Sequence, residues 1–231
     1  MVKINKTTTK VLKRTGIFGG TFNPIHMAHL LCGEEIRVKF DLDNIIFIPS
    51  ASPPHKSSKS IIHSKLRYEM VKLGIKGNPY FEASDIELNS PGKSYSIDTV
   101  KKFLNIFDNE VSLYFIMGID AFIEIDTWKE YRELLQLCKF IVMKRPGISI
   151  DNVIDKLPDF IKDRIQLDVE KQNPINYNNH DKNIIVVSVT GVSVSSTLIR
   201  ERLSLNKSIK YLVPYEVESF IYKNDLYKGV L

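Results

Sequence analysis

The stretch from Gly16 to Leu30, Gly-Ile-Phe-Gly-Gly-Thr-Phe-Asn-Pro-Ile-His-Met-Ala-His-Leu, constrains this chain more than any other. An apolar strand ending at Phe18 runs into a glycine pair. A proline follows, then two histidines three residues apart at the head of an apolar-periodic segment. Gly19 and Gly20 allow a sharp turn and let an anion approach the peptide N–H groups closely. Pro24 suits the entry to a helix, where its missing N–H costs nothing. The helix reads from His26 to Lys39, with Leu30, Leu31, Ile36, Val38 and Phe40 as its apolar share. Its unpaired N–H groups and positive dipole end favour phosphate oxygens at the turn. His26 and His29 share one face of the first turn, and each can donate to a phosphate oxygen. On spacing alone, a plain turn with surface histidines and a metal pair stay open beside the phosphate cradle. The metal reading is the weakest, because a closed site needs about four ligands and no third lies nearby.

Strand-length apolar runs alternate with helix-length periodic segments along the rest of the chain. The strands are predicted at Thr15–Phe18, Asn44–Pro49, Tyr80–Ala83, Ser112–Met117, Phe140–Met143 and Ile184–Val189. The helices are predicted at His26–Lys39, Ser64–Ile75, Ser96–Phe107, Trp128–Leu137, Ser195–Leu203 and Pro214–Lys223. This alternation predicts an α/β fold: a Rossmann-like, doubly wound parallel sheet with helices on both faces. Ligands in such a sheet sit beyond the carboxyl ends of the strands, at the topological switch point, where the glycine turn falls. One domain is expected over residues 1–231, with 1–14 a flexible lead-in that can pass a few residues to the first strand. Residues 146–183 read as a variable insertion, a modest amphipathic helix leading to an Asn-rich loop, and 195–231 as a C-terminal helical part.

A second constellation follows the last strand: Val194-Ser195-Ser196-Thr197-Leu198-Ile199-Arg200. Hydroxyl residues at a strand-to-helix junction cap the helix and present donors, and Ser196 and Arg200 share a face at i, i+4. Such a mouth suits an anion, with Arg200 adding fixed charge. An ordinary cap with a surface arginine fits as well. Lys56 follows Pro53-Pro54-His55, in a loop the prolines stiffen. Ser94-Tyr95-Ser96-Ile97-Asp98-Thr99 reads as a capped helix start. Gly118-Ile119-Asp120 ends the central strand, shortly before the single tryptophan in Trp128-Lys129. His63 and His180 read as structural or solvated.

Together these segments resemble the nucleotidyltransferase family with the His-x-Gly-His signature, and within it the bacterial nicotinate-nucleotide adenylyltransferases. Gly-Gly-Thr-Phe-Asn-Pro-Ile-His-Met-Ala-His resembles the first signature, with Asn23 where Asp is usual and Ala28 where Gly is usual. Val-Ser-Ser-Thr-Leu-Ile-Arg resembles the second signature, and Pro-Pro-His-Lys the loop that brings Lys56 to the phosphates. The resemblance implies adenylyl transfer from ATP to nicotinate mononucleotide, giving deamido-NAD and pyrophosphate. It assigns His26, His29, Lys56 and Arg200 to catalysis. ATP falls to Gly19, Gly20, Thr21, Phe22, His26, His29, Ser195, Ser196, Thr197 and Arg200. The mononucleotide falls to Tyr95, Thr99, Asp120, Trp128 and Lys129, with Trp128 as a stacking face and Asp120 on a ribose. Ala28 adds a methyl where the nucleotide approaches the helix, which implies a slightly displaced pose. Mg²⁺ enters with ATP, without a dedicated protein metal site. The rival readings are another phosphate acceptor, such as nicotinamide mononucleotide or phosphopantetheine, and a nucleotide-binding protein without catalysis.

Composition narrows the partners. The chain has 231 residues, 43% hydrophobic, with a formal charge of +5. That balance suits anionic small molecules, and no dense basic run interleaved with aromatics marks a nucleic-acid surface. No apolar run reaches transmembrane length, and residues 1–14 lack the apolar core of a signal peptide. Two cysteines far apart, Cys32 and Cys138, read as reduced buried thiols. A cytoplasmic chain is expected, with self-association left open.

Overall fold

The computed structural model describes residues 12–52, 61–89, 92–108, 110–144, 150–168 and 183–228. Lys56, Pro53 to Ser60, His180 and most of the Asn-rich stretch lie outside them, as do residues 1–11 of the expected lead-in. The chain builds one seven-stranded, all-parallel sheet. Its strands are β1 (Lys13–Gly20), β2 (Asn44–Pro49), β3 (Phe81–Ala83), β4 (Val111–Gly118), β5 (Lys139–Lys144), β6 (Ile165–Leu167) and β7 (Ile184–Ser188), in the order β3-β2-β1-β4-β5-β7-β6. The order reverses at β1, which pairs with β2 on one side and β4 on the other. That reversal opens a crevice at the strand C-termini, where ligands of such sheets bind.

Neighbouring residues of the central strands go to opposite faces, as the pleat requires. Phe18, Phe47, Tyr114 and Ile116 join one apolar cluster, and Ile17, Ile48, Leu113 and Phe115 join the other. The first face is covered by α1 (Met27–Lys39), α2 (Ser64–Gly74), α8 (Ser196–Ser204) and α9 (Tyr215–Lys223). The second is covered by α3 (Ser96–Ile106), α4 (Ile119–Phe122), α5 (Tyr131–Leu137), α6 (Asp151–Ile154) and α7 (Asp159–Lys162). Both faces are dry, so the strands read as continuous apolar runs.

Four sequence expectations shift. The single helix expected after residue 146 is two one-turn helices, α6 and α7, followed by β6, an extra edge strand on β7. Three residues, Ile-Gln-Leu, are too short for a period-2 signal to register. The segment after Trp128 becomes helical only at Tyr131, because Glu130 takes a left-handed φ of 52° that breaks the run. On α1, Leu31 and Val38 are 40% and 62% exposed, and the buried stripe is Gly33 with Ile36. Gly33 faces the Phe47 and Phe81 rings, so two aromatics take the space that an aliphatic helix residue would have filled. The mouth of α1 also differs: its cap is His26, and Pro24 sits two residues ahead, in the turn. Cys138 is buried and Cys32 half-buried, with no disulfide among the described residues.

Gly16 lies at the crossing of β1, β2 and β4. A methyl there would meet Ile116 at 2.9 Å and both Ile45 and Leu42 at 3.1 Å. Gly16→Val is expected to destabilise the fold by about 1–3 kcal/mol, the usual cost of overpacking, as urea unfolding will show.

Candidate active site

The turn after β1 is made differently from the sequence expectation. Gly19 and Gly20 stay in the strand, opposite Ile48 and Pro49, and neither has a positive φ. The chain reverses at Phe22, with φ 45°, and at a cis Asn23–Pro24 peptide. Gly20 is small because a Cβ would lie 2.9 Å from the Phe22 ring folded back on it. Phe22, Phe18 and Phe47 form an aromatic floor with ring centroids 5.3–5.9 Å apart.

The two histidines stand on that floor. Their rings stack at 3.7 Å, His29 meets Phe22 edge-on at 5.0 Å, and His26 is buried. The backbone N–H of His26 donates to Nδ1 of His29 at 3.3 Å. An Nδ1 that accepts leaves the ring proton on Nε2, so His29 is held as an Nε2–H donor. The helix mouth is less open than the sequence implies, since the Met27 N–H is taken by the Leu212 carbonyl at 3.0 Å. Ala28 is half-buried, and its methyl packs against the apolar cluster on that face of the sheet.

The late Ser-Arg segment meets this turn directly. Ser196 Oγ donates to the Pro24 carbonyl at 2.8 Å, and Arg200 Nη1 donates to the Asn23 carbonyl at 2.9 Å. Arg200 Nη2 reaches Thr197 Oγ1 at 3.3 Å, and Ser195 Oγ caps α8 by accepting from the Leu198 N–H at 3.1 Å. The sequence reading had these hydroxyls and the guanidinium presenting donors to phosphate. Ser196 and Arg200 brace the turn, because a buried reversal leaves carbonyls that need donors, while Ser195 caps α8. The Arg200 guanidinium is thereby fixed against the turn that precedes the histidines.

The residues expected to meet the mononucleotide lie on and around α3 and α4. Gly118 ends β4 and caps α4, whose first turn carries the exposed Asp120. Trp128 is half-buried, edge-on to Phe115 at 6.1 Å. Lys129 Nζ contacts both oxygens of Asp98 at 3.0 Å and lies 5.0 Å over the Tyr95 ring. Thr99 is buried and donates to Glu87 Oε1 at 2.7 Å, so its hydroxyl faces a carboxylate.

Three residues escaped the sequence reading. Tyr227 is buried, with φ 66°, and its hydroxyl donates to Asn23 Oδ1 at 3.0 Å; burial pushes that phenol's pKa up. Asn23 Oδ1 also accepts from the Ile62 N–H at 3.4 Å. Arg67, 1% exposed, donates to the carbonyls of Thr21, Ser50, Ala51 and Ile62 at 2.6–3.2 Å. Glu87 lies beneath α3. Burial raises its carboxyl above the ordinary range, while the Thr99 and Ser94 hydroxyls and the Ala51 N–H pull the other way. The available signals were a lone Arg on an apolar helix stripe and a Glu in a Pro/Gly-rich approach to α3. Both look like solvated surface in sequence. His63, by contrast, caps α2 by accepting from the Lys65 N–H at 3.3 Å.

Comparisons with known proteins bear on the family and the fold. A cytidylyltransferase-like family model matches residues 17–202. The chain belongs to that family. Among curated relatives of these cytidylyltransferase-like proteins, the probable nicotinate-nucleotide adenylyltransferase of Thermoanaerobacter sp. (strain X514) is 43% identical, over 93% of this chain and 94% of its own length. That of Moorella thermoacetica is 41% identical, over 93% and 92%. The solved nicotinic acid mononucleotide adenylyltransferase of Plasmodium falciparum, complexed with NaAD, superposes with a TM-score of 0.69 at 20% identity, over 93% of this chain and 97% of that one. It shows the shared fold. No helix among the described residues is long and apolar enough to cross a membrane.

Because Glu87 titrates above an ordinary glutamate, the native state holds its proton where the unfolded chain, with pKa about 4.3, has released it. Its favourable share of stability is complete below that ordinary value and is lost as pH rises through the raised one. Glu87→Gln carries no such titration. Its stability relative to wild type is therefore expected to improve in urea titrations as pH rises above the ordinary glutamate value and to level off beyond the raised one, and a flat difference would refute the assignment.

Proposed function

We propose that this chain transfers the adenylyl group of ATP to nicotinate mononucleotide, releasing pyrophosphate and deamido-NAD. One observation carries the reading. The histidine turn and the Ser-Arg helix start, 172 and 177 residues apart at their two hydrogen bonds, meet at one carbonyl pair. They face an aromatic and cationic group across the switch point. The relatives' names supply the identity of the acceptor.

The chemistry suits these residues. The attacking group is a phosphate monoester, largely dianionic at neutral pH because its second pKa is about 6. One of its oxygens attacks the α-phosphorus of ATP, and the bond from that phosphorus to the bridging oxygen of pyrophosphate breaks. No proton has to leave the nucleophile, so no general base is needed. What remains is to hold two polyanions together and to stabilise charge on the leaving pyrophosphate. The Nε2–H of His29, the buried His26, the Arg200 charge and the first amides of α8 supply donors and positive potential at the turn. Trp128 offers a ring face to the pyridine, Tyr95 and Lys129 border it, and Asp120 stands within the exposed first turn of α4 for a ribose hydroxyl. Imidazole, hydroxyl and guanidinium donors at the turn fit a Mg²⁺ ion that arrives bound to the triphosphate and keeps its waters. Bound there, that ion would neutralise phosphate charge. A cytoplasmic setting fits such a substrate pair.

A pyrophosphate-release assay with ATP and a panel of mononucleotides tests the activity; release with nicotinate mononucleotide is expected, and its absence would refute the proposal. His29→Ala is expected to lower turnover about 10²–10³-fold, as loss of one transition-state donor does, with little change in ATP binding. Near-normal turnover would remove His29 from the site. Trp128→Ala is expected to weaken the mononucleotide by about 1–2 kcal/mol, the scale of a lost base–aromatic stack, with ATP affinity unchanged in calorimetry. Equal losses for both ligands would make Trp128 a packing residue.

A further inference from the structure

Among the described residues, Arg67 is the largest fully buried side chain, and it makes no ion pair. Its guanidinium is satisfied by carbonyls alone. Nη1 donates to Thr21 at 2.6 Å, Nη2 to Ser50 at 2.6 Å and Ala51 at 3.2 Å, and Nε to Ile62 at 3.0 Å. An apolar residue here would avoid burying a charge but would leave these carbonyls without donors, at about 1–3 kcal/mol each.

The carbonyls are chosen by position. Thr21 belongs to the histidine turn after β1. Ser50 and Ala51 follow β2 directly, at the same end of the sheet. In a trans peptide the carbonyl and the next N–H point in opposite directions. With the Ser50 carbonyl held by Arg67, the N–H of that same peptide points away, and it is shared between Ser94 Oγ at 3.2 Å and the buried Glu87 carboxyl. Ser94 precedes Tyr95, the cap of α3, whose carbonyl accepts from the Thr99 N–H and hydroxyl. A continuous link therefore runs from the Thr21 carbonyl through the guanidinium and the Ser50–Ala51 peptide to Ser94 and the start of α3.

We propose that Arg67 is a positioning residue that sets the separation between the triphosphate turn and the acceptor half-site, through the Thr21 carbonyl and the Ser50–Ala51 peptide clamped between Arg67 and Ser94. The proposal rests on the adenylyl-transfer reading above. Arg67 is too buried to touch substrate. Its planar fork holds two carbonyls at a fixed spacing, which the single nitrogen of a lysine does not. Each half-site keeps its own ligand contacts without it. What changes is the placement of the attacking oxygen relative to phosphorus, where a misplacement of about 1 Å costs about 10²-fold in rate.

The test compares wild type, Arg67→Lys, Ser94→Ala and their combination. Met70→Ala serves as a core-destabilised control on the same helix. Turnover, KM for each substrate and urea midpoints are measured well below the unfolding transition. Arg67→Lys is expected to lower turnover about 10²-fold and Ser94→Ala about tenfold, each with KM values within about threefold of wild type. The combined variant falls no further than Arg67→Lys, because both break one link. Met70→Ala loses stability and keeps its turnover. A folded Arg67→Lys with normal turnover, or with a loss matching its unfolded fraction, overturns the proposal. If Arg67→Lys does not fold, Ser94→Ala decides, and normal turnover there overturns it too. Wild type that makes no deamido-NAD would instead refute the activity, so the two failures are distinct.

Discussion

A buried reversal of the chain carries this architecture. Between β1 and α1 the backbone turns back over Phe22, Asn23 and Pro24, all nearly inaccessible to water. The carbonyls of such a turn cannot pair along a strand or a helix, and leaving one bare costs about 1–3 kcal/mol. The protein supplies donors from distant parts of the sequence: Arg67 for Thr21, Arg200 for Asn23, Ser196 for Pro24, and Tyr227 for the Asn23 side chain. Fold closure and site assembly are thus one event. Ser196 and Arg200 of α8 satisfy the turn, so packing the C-terminal part on the sheet also fixes the segment that precedes the histidines.

The side proposed to take the mononucleotide is organised by weaker forces. Lys129 and Asp98 are both well exposed, and such pairs contribute about 0–1 kcal/mol to stability. Their worth is orientation: the pair keeps an ammonium over the Tyr95 ring, next to the half-buried indole. One half-site is rigid and locked by buried hydrogen bonds; the other is open and held by surface contacts. The Ser50–Ala51 peptide joins them at the crevice where the strand order reverses.

Much of this was legible in the sequence. β2 shows all six residues buried, and a helix-covered strand of Ile and Phe has no other reading. The histidine turn and the Ser-Arg helix start were legible as resemblances, and the fold brings them into contact. The conformation of the turn was not. A glycine pair suggested where the chain reverses, but Gly20 yields to the Phe22 ring and the reversal falls on Phe22 itself. A left-handed phenylalanine has no local sequence mark, because tertiary packing holds it there. β6 was invisible for a different reason: three residues carry no period. Arg67, Glu87 and Tyr227 were missed because polar residues read as surface by default. Only three-dimensional contact shows that each is matched to a buried partner.

The tautomer of His29 links this packing to the reaction. Its Nδ1 is occupied by a backbone donor one helical turn back. With Nδ1 accepting, Nε2 carries the ring proton, and the ring's orientation is fixed by stacking on His26 and by the edge of Phe22. In the proposed reaction, a donor fixed in this way would need no reorganisation as charge builds on the leaving pyrophosphate, which is the condition under which a single hydrogen bond has a large effect on rate. The aromatic floor, with Gly20 left bare to admit Phe22, sets where that imidazole stands. A side chain at Gly20 would displace Phe22, and through it the imidazole, without touching any substrate atom.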